Sequence, residues 1–308
     1  MSQAVIKNPA VKKKIHVSAQ DRVLSTVCYL FILLFAVFAL VPFILVLSAS
    51  FTDEVTLNRF GYQLWPKVFS LNAYKLALKD SGMGQAYLIT ISTTLLGTFT
   101  SMVLTSACAY AISVKSFRSR GAVALFMYFT MLFNGGLVPS YLLITKFLKL
   151  QNTYWVLLFP SLCNAWNILL MRNFFNGVPD SLREAAKVDG ASDFRVLLQI
   201  MLPVSLPAIA TIGLFYALSY WNEWYKCLLY IDTSHSQYYT LQYLIQRILR
   251  QVNYAASLPA EATGYTEALP TYSFRMASIM LAIGPIVLLY PFLQKYFVAG
   301  LTVGAVKG

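Results

Sequence analysis

The stretch Glu184-Ala185-Ala186-x-x-x-Gly190 is followed, after nine intervening residues, by Ile200-x-Leu202-Pro203, and together they form a polar insert between two long apolar segments. Its alanines favour helix, and Gly190 suits the left-handed residue that closes one. Ser181-x-x-Glu184 has the spacing of a capping box, in which two side chains satisfy free N–H groups at a helix start. A second start is predicted at Ser192-Asp193. The insert is therefore expected to be two short helices joined by a tight glycine turn.

The rest of the chain has the composition of a membrane protein. Of its 308 residues, 58% are hydrophobic and 12% are charged, about half the charged fraction of a soluble globule. The apolar residues form continuous runs of about 20 residues or more, which indicates a helical bundle and not a β-barrel. We predict an all-α integral membrane protein with six transmembrane helices. Their expected bounds are 24–48, 86–113, 121–148, 153–173, 205–230 and 273–298.

Basic residues set the expected orientation. Three lysines, Lys12-Lys13-Lys14, lie in the tail 1–23, and three further basic residues lie in the short turn 114–120. Short flanks rich in lysine and arginine favour the cytoplasmic side. We therefore expect a multi-pass protein of the cell membrane with both termini in the cytoplasm. The cytoplasmic segments then include 174–204 and the tail 299–308, and the extracytoplasmic loops are 49–85 and 231–272.

The second outer loop contains an apolar stripe with the spacing i, i+3, i+4, i+7, i+8 and i+11. This spacing predicts an amphipathic helix. The helix is expected to lie on the bundle or at the lipid interface, or to act as a platform for an external partner, and these interpretations are compatible. The stripe consists of Leu241, Leu244, Ile245, Ile248, Leu249 and Val252.

Several other functions find no support in the sequence. The two histidines, His16 and His235, are far apart, so no metal site is expected. The net charge of +12 follows from membrane topology, and no basic helix or aromatic-basic module indicates nucleic acid. The chain has no Gly-x-x-x-x-Gly-Lys-Ser/Thr loop, so it is not itself an ATPase. The four cysteines lie in apolar segments without a close pair, which favours buried free thiols at Cys28, Cys108, Cys163 and Cys227.

The order and spacing of the insert resemble the cytoplasmic loop of the membrane subunits of ATP-binding-cassette (ABC) importers. Within them, the chain is similar to the carbohydrate group of the maltose-type subunit, over nearly its whole length. The resemblance also rests on Asp189-Gly190-Ala191, on Trp221-Asn222-Glu223, and on the closing Gly300-Leu301-Thr302-x-Gly304-Ala305-Val306-Lys307-Gly308. The stretches Asn134-Gly135-Gly136-Leu137-Val138-Pro139 and Asn164-Ala165-Trp166-Asn167 look like the branch associated with complex oligosaccharides.

This resemblance implies a type I ABC importer transmembrane domain, with the permease domain at 86–298 and cytoplasmic coupling helices. The implied partners are a second homologous permease subunit in a heterodimer, two ABC ATPases, an extracytoplasmic sugar-binding protein, the carbohydrate and membrane lipid. The chain would bind no cofactor and would not be an enzyme, because ATP and Mg²⁺ would belong to the ATPase. The implied ATPase-coupling residues are Glu184, Ala185, Ala186, Lys187, Asp189, Gly190 and Ala191.

Sugar binding requires flat apolar rings for C–H faces and amides or carboxylates for hydroxyls. Trp221 and Tyr225, at i and i+4, are expected to share a helix face in the fifth segment, with Asn222 and Glu223 between them. The alternative is an interfacial aromatic belt in which Glu223 pairs with Lys226. A second pair of substrate-pathway candidates lies in the fourth segment, where interhelical hydrogen bonding is the alternative; this pair is Asn164 and Asn167.

Two other classes of protein remain as alternatives. An ion-coupled secondary sugar transporter usually places several ionisable groups at the midplane, and only Glu223 approaches that position here. An integral membrane enzyme would need a nucleophile, metal ligands or paired acids, and none stands out. Co-purification with a nucleotide-binding subunit would distinguish the importer from both.

Overall fold

The computed structural model describes residues 19–78, 82–257 and 272–287. Within these ranges the chain is helical, and its only β pairing is an isolated bridge between Thr52 and Phe69. The all-α prediction is therefore confirmed for the described residues. Parts of four predicted features lie outside them: the basic tail before residue 19, the outer-loop residues 258–271, the last span beyond residue 287, and the closing motif 300–308.

Within the described ranges, two helices are long and apolar enough to cross a membrane without a break. The first, α1, runs over Ala19–Ser50, and its apolar side chains are exposed along most of its length in this single chain. The second, α4, runs over Met83–Ser113 and is the central helix, because it packs against two later helices, α7 (Ala165–Asn176) and α11 (Leu206–Trp221). Two short helices lie between them, α2 at Glu54–Phe60 and α3 at Asn72–Leu78.

The next two apolar segments, predicted as 121–148 and 153–173, are bent where glycine and proline interrupt them. In the first, α5 and α6 meet at 112°, and in the second two 3₁₀ turns meet α7 at 47°. If each bent pair is one span, the described residues contain up to five spans. The elements are α5 (Arg120–Leu132), α6 (Leu137–Leu142, continued by a π turn at Leu143–Phe147), the 3₁₀ turns Tyr154–Leu157 and Phe159–Ser161, and α7 (Ala165–Asn176).

The remaining chain contains a second bend, the last described helices and the insert at 174–204, which is called the coupling insert after its predicted role. The helical run Asp193–Val204 meets α11 at 89°, so the insert lies across the end of the bundle. The predicted segment 205–230 is also divided, because α11 ends at Trp221. The elements are α8 (Asp180–Val188), α9 (Asp193–Val196), a π turn (Leu197–Met201), α10 (Leu202–Val204), α11 (Leu206–Trp221), α12 (Tyr225–Tyr230), a 3₁₀ turn (Thr233–Tyr238), α13 (Leu241–Ser257) and α14 (Tyr272–Val287).

The interface between α4 and α11 is held by tyrosine hydroxyls that meet small polar side chains. The Tyr216 hydroxyl lies 2.7 Å from Thr105 Oγ1, and the Tyr220 hydroxyl lies 3.1 Å from Ser101 Oγ. Gly97 lets the helices approach closely, because a Cβ at this position would lie 2.5 Å from the Tyr220 ring. Membrane helices commonly pack through small residues in this way.

The predicted outer helix is confirmed as α13, and it lies on the bundle. Leu241, Leu244 and Ile245 are buried, and Ile248 and Leu249 pack against the same apolar cluster. The side chain of Val252 lies outside the description. The Thr90 Oγ1 atom on α4 accepts a hydrogen bond from the Leu241 N–H at 2.8 Å. The start of α13 is therefore fixed to the central helix.

The short helix α2 is tied to α14 by a carboxylate that the sequence did not single out. Glu54 is 9% exposed. Its carboxylate accepts hydrogen bonds from the backbone N–H groups of Tyr272 and Ser273, at 3.0 and 2.8 Å, and from the Ser273 hydroxyl. The N-terminal turn of a helix favours such a negative group.

The prediction of four buried thiols is wrong for two cysteines. All four are free, and Cys227 is buried, whereas Cys28 and Cys163 are exposed and Cys108 is half-buried. Cys28 is exposed because α1 has few protein neighbours along its apolar length. Cys163 is exposed because it lies in the break before α7.

Candidate coupling surface and central pocket

Helix α8 of the coupling insert starts two residues earlier than predicted, because its N-cap lies at Pro179 and not at Ser181, and it has no capping box. Pro179 holds the N-cap position of α8, and no side chain caps the helix start. Ser181 and Glu184 lie inside the helix and are exposed. Asp180 in the first turn suits the positive end of the helix dipole, and it forms an ion pair with Lys115 of the turn after α4.

The predicted glycine turn is confirmed. Gly190 has a φ of +78°, in the left-handed region that glycine adopts without strain. Its N–H donates to the Lys187 carbonyl at 3.0 Å, and the Ala191 N–H donates to the Ala186 carbonyl at 2.9 Å. This pair of bonds is a Schellman motif. Ser192 then caps α9, as predicted, by accepting from the Arg195 N–H.

Arg183 joins the insert to the bundle, although it is not one of the predicted coupling residues. Its guanidinium donates to the Phe175 carbonyl at 2.8 Å, at the end of α7, and to the Ser113 hydroxyl at 3.2 Å, at the end of α4. It also contacts Met201 of the π turn and lies over the Tyr110 ring. Arg183 is 9% exposed, and a buried charge requires such partners. The sequence offers one indication of this role, because Arg183 lies on the same helical stripe as Ala186 and Gly190.

Two further polar contacts fix the insert against itself and against α4. Lys187 forms an ion pair of 2.8 Å with Asp193, across the glycine turn. The Tyr110 hydroxyl donates to the other oxygen of the same carboxylate at 3.0 Å. The Lys187 hydrogen bond, followed by that from Tyr110, holds the pKa of Asp193 below its ordinary value. The two short helices of the insert are therefore tied together and to the central helix.

The opposite side of the insert faces outward. Glu184, Ala185, Lys187, Asp189 and Gly190 are exposed, and Ala186 and Ala191 are half-buried. Two apolar side chains that the sequence analysis did not name lie on the same insert: Val188 is 88% exposed and Phe194 is 70% exposed. Exposed apolar groups with a polar rim are typical of a protein interaction surface.

The predicted cluster around Trp221 is not arranged as expected. Trp221 ends α11 and Tyr225 starts α12, so the two rings do not share one helix face. Trp221 is buried, and its indole N–H donates to the Ala282 carbonyl of α14 at 3.1 Å. The predicted shared face is wrong, because the helix breaks between these residues. Their place in a substrate pathway stays a prediction.

The break between α11 and α12 consists of residues 222–224, and its polar side chains bond to groups a few residues away. The Glu223 carboxylate accepts from the Lys226 N–H at 2.8 Å and pairs with the Lys226 ammonium, and both side chains are 13% exposed. The Asn222 amide donates to the Leu218 carbonyl at 2.9 Å. The Glu223–Lys226 pair is the arrangement that the alternative interpretation predicted. Tyr225 is 45% exposed.

The structure places Asn164 and Asn167 at a pocket of about 400 Å³ between the start of α7 and the middle of α11. Asn164 caps α7, because its side-chain oxygen accepts from the Asn167 N–H at 3.1 Å. The Asn164 N–H in turn donates to the Tyr216 hydroxyl at 3.3 Å. The rings of Trp166 and Phe215 also line the pocket. This central pocket therefore combines amides with accessible aromatic rings.

Comparison with known proteins agrees with this architecture. Residues 15–303 match the family model of the binding-protein-dependent transport system inner membrane component. The chain is 38% identical to the polygalacturonan/rhamnogalacturonan transport system permease protein YtcP of Bacillus subtilis, covering 94% of this chain and 100% of the relative. It is 36% identical to protein LplC of the same organism, covering 87% and 90%.

A solved structure gives the same result. The chain superposes with a TM-score of 0.77 and 31% identity on a chain of a bacterial ABC transporter involved in the import of the acidic polysaccharide alginate, covering 91% of this chain and 98% of that one. The members of the matched family are transport components, so this chain is a permease subunit and not an enzyme. The chain belongs to the family of binding-protein-dependent transport system inner membrane components.

Proposed function

We propose that the chain is one of two membrane subunits of an ATP-driven importer of carbohydrate, and of oligosaccharide in particular. YtcP is named for polygalacturonan/rhamnogalacturonan transport, and the superposed structure belongs to an importer of alginate. The ion-coupled alternative depends on Glu223, whose carboxylate is engaged by Lys226. That alternative therefore loses its main support.

The proposed assembly contains a second, homologous permease subunit in a heterodimer, two ABC ATPases that bind ATP and Mg²⁺, and an extracytoplasmic sugar-binding protein. We place both termini in the cytoplasm and the lipid-facing helices in the cell membrane. The coupling insert and the 3₁₀ turn at Thr233–Tyr238 lie at opposite ends of α4, because Ser113 contacts Arg183 and Gln85 contacts Gln237. The binding protein would meet the end that carries α13.

The observation that carries this proposal is the construction of the coupling insert. One side exposes Glu184, Ala185, Val188 and Phe194, and the other side inserts Arg183 between α4 and α7. An ATPase that moves the outer side would displace the ends of both helices together, as in a rigid-body transition. The coupling residues are accordingly Glu184, Ala185, Ala186, Lys187, Asp189, Gly190 and Ala191.

The test is a matched pair of valine substitutions in the complete complex reconstituted in vesicles. Gly190→Val forces a β-branched residue into the left-handed region, which costs on the order of 1–2 kcal/mol, and it crowds the ATPase side. Gly121→Val is the control, since Gly121 has open space at the start of α5 and no left-handed φ. We expect Gly190→Val to lose most sugar-stimulated ATP hydrolysis and uptake, and the control to stay within about twofold of the parent.

The uptake assay uses three sugars, namely maltotriose, trigalacturonate and the methyl ester of trigalacturonate. Uptake of at least one sugar that depends on ATP and on the binding protein supports the proposed function. The absence of uptake of all three contradicts it. Normal coupling in Gly190→Val contradicts the assignment of the insert while leaving the carbohydrate assignment in place.

The substrate pathway is proposed to pass the central pocket. Asn164 and Asn167 contribute to it directly, and the residues of the break, Trp221, Asn222, Glu223 and Tyr225, would border it from the outer half of α11. The amphipathic helix α13 would support the surface that receives the binding protein. Both assignments rest on the position of these groups relative to the insert, along α4.

A further inference from the structure

The central pocket has the chemistry of a sugar site and lacks that of an acid site. We propose that it is a saccharide subsite contributed by this chain, in which the ring of a pyranose stacks on Trp166 and its hydroxyls meet Asn164 and Asn167. The subsite recognises the neutral parts of a sugar unit and takes no part in recognising a carboxylate. This inference rests on the proposed function, which supplies the carbohydrate.

Asn167 provides hydrogen-bonding groups for a sugar in this pocket. The residue is 6% exposed, and its side-chain amide finds no hydrogen-bond partner among the described residues. The residue nevertheless lines the pocket. Neither of its amide atoms is among the fully enclosed side-chain atoms that lack a hydrogen bond, so the amide is accessible from the pocket and a polar ligand can fill both of its roles. An amide can donate to one sugar hydroxyl and accept from another.

The neighbouring polar groups leave a defined set of contacts for the ligand. The oxygen of Asn164 caps α7 and the Tyr216 hydroxyl is engaged by Thr105 and by the Asn164 N–H. The side-chain amide nitrogen of Asn164 therefore remains as a second hydrogen-bond donor for the ligand. The Tyr216 hydroxyl is already engaged, so Tyr216 contributes the surface of its ring to the pocket lining. Both asparagines lie where α7 begins after a 47° bend. Broken helices in membrane proteins occur where they are buried in protein or line a cavity.

Trp166 and Phe215 provide the aromatic surfaces of the pocket. Trp166 is 60% exposed and Phe215 is 39% exposed, although both line a pocket that also contains buried amides. An indole face next to amides matches the mixed surface of a pyranose, which presents C–H groups on its faces and hydroxyls at its edge. The pocket volume of about 400 Å³ lies in the range of small-molecule sites, roughly 300–1,000 Å³.

The lining also sets the charge of the group that fits. No charged side chain lines the pocket within the described residues. An ionised carboxylate placed there would lose hydration without gaining a cation, which is unfavourable. An acidic sugar unit would therefore enter with its carboxylate directed away from this chain, and its acid group would be recognised by another subunit or by the binding protein.

Cys163 provides a reporter within the site. It is exposed and lines the pocket, whereas Cys28 is exposed on α1, away from it. We would prepare the assembled complex with Cys163 as the only cysteine, and a second version with only Cys28. The labelling rate with a small methanethiosulfonate reagent is then measured with and without trigalacturonate or its methyl ester, each added at the same concentration.

We expect both sugars to slow the labelling of Cys163 by threefold or more, to within twofold of each other, and to leave Cys28 unaffected. Protection by the acid but not by the ester overturns the neutral character of the subsite. If a sugar is taken up by the complex and neither sugar protects Cys163, the subsite is wrong and the proposed function stands. If no sugar is taken up, the proposed function fails and the subsite fails with it.

Substitutions add a transport readout. Trp166→Leu should lower the maximal uptake rate about fivefold at saturating binding protein. Trp155→Leu is the matched control, since Trp155 is 51% exposed and stacks on Phe159 outside the pocket, and it should change the rate less than twofold. Asn167→Leu should act like Trp166→Leu. Equal rates in Trp166→Leu and the parent, in complexes that assemble normally, overturn the stacking role.

Discussion

The coupling insert and the break at residues 222–224 are both polar interruptions of an apolar chain, yet they direct their polar groups in opposite directions. In the insert, Glu184 and Lys187 face outward, and one arginine, Arg183, reaches into the bundle. In the break, Glu223 turns back onto the Lys226 N–H, and its side chain is 13% exposed. The first arrangement leaves a surface for a partner, whereas the second satisfies the chain's own backbone.

This difference teaches how a polar motif in a membrane protein is to be interpreted. A short polar segment is a site for a partner when its backbone is already satisfied by turns and caps, as Gly190 and Ser192 satisfy the insert. It is structural when its side chains supply the missing backbone partners. By this criterion Asn164, whose side chain caps α7, is structural like Glu223, whereas Asn167, whose amide has no hydrogen-bond partner among the described residues, resembles the insert.

The largest effect is expected from removing the arginine that ties the insert to the bundle. Arg183→Met leaves the Phe175 carbonyl and the Ser113 hydroxyl without their donor. Hydrogen bonds to charged groups contribute about 1.5–3 kcal/mol each. In the assembled complex we expect basal ATP hydrolysis to persist and its stimulation by sugar and binding protein to fall tenfold or more.

The control is Arg195→Met, which removes an exposed arginine of the same insert and should change stimulation less than twofold. Arg183→Lys keeps the charge but not the fork of donors, so it should retain part of the stimulation. Full stimulation in Arg183→Met would show that the insert transmits motion through other contacts. The inward-facing arginine would then not distinguish the insert from the break as an element that transmits motion.

The second prediction tests whether the end of α11, just before the break, is fixed by packing. Gly97→Ala places a methyl group 2.5 Å from the Tyr220 ring, which is 1% exposed and whose hydroxyl is hydrogen-bonded to Ser101. Overpacking of this kind costs about 1–3 kcal/mol. We expect a lower temperature of half-dissociation for the complex, measured by size-exclusion chromatography after heating.

Gly213→Ala is the matched control on α11, because its new Cβ would lie 3.9 Å from Met102, an ordinary contact. It should leave the dissociation temperature nearly unchanged. If both alanines behave alike, the close approach of α4 and α11 at Gly97 has no energetic weight. The break would then be free to move relative to the bundle.

Local rules predicted the coupling insert well, because its turn depends on nearby residues. Gly190 and Ser192 act within a few positions of the bonds that they form. The capping box is absent because Pro179, with φ fixed near that of a helix start, takes the N-cap position two residues before Ser181, so that Ser181 lies inside the helix. Helix type and turn type were therefore accessible from the sequence, whereas the identity of the cap was not.

The break and the buried arginine could not be predicted, since both depend on distant residues. No glycine or proline occurs between Trp221 and Tyr225. The break is instead stabilised from 17 positions away, where Thr240 donates to the Glu223 carbonyl. The partners of Arg183 likewise include Ser113, 70 positions away. Contacts between residues so far apart in the sequence form only when the helices pack together.

The third prediction separates the two interpretations of Glu223. Glu223→Gln keeps an acceptor for the Lys226 N–H but loses the ion pair, and Glu223→Ala loses both. Loss of one such hydrogen bond costs about 1 kcal/mol. We therefore expect the yield of folded complex to fall modestly in the glutamine variant and further in the alanine variant, with uptake per assembled complex unchanged in both.

The measurement is the amount of monodisperse complex in detergent, followed by uptake normalised to that amount. Unchanged yield together with lost uptake would place the carboxylate in the substrate pathway, as the sequence first suggested. The break would then be a site like the insert, and the distinction between the two regions would fail at this residue.

The smallest effect concerns the surface tie between the two helices of the insert. The hydrogen bonds from Lys187 and then from Tyr110 lower the pKa of Asp193. A carboxyl group whose pKa is lowered by folding stabilises the fold above its unfolded value, about 3.9, and loses that contribution as the pH falls through its folded value. Asp193→Asn should therefore lower the dissociation temperature by the same small amount throughout pH 5–8.

The ion pair is about half exposed, and such pairs contribute at most about 1 kcal/mol and weaken with salt. In 0.5 M NaCl the difference between the variant and the parent should shrink, because screening removes most of what Lys187 contributes. A difference that changes between pH 5 and pH 8 would reveal another titrating group at this surface. It would show that the tie between the two helices of the insert depends on more than the Lys187–Asp193 pair.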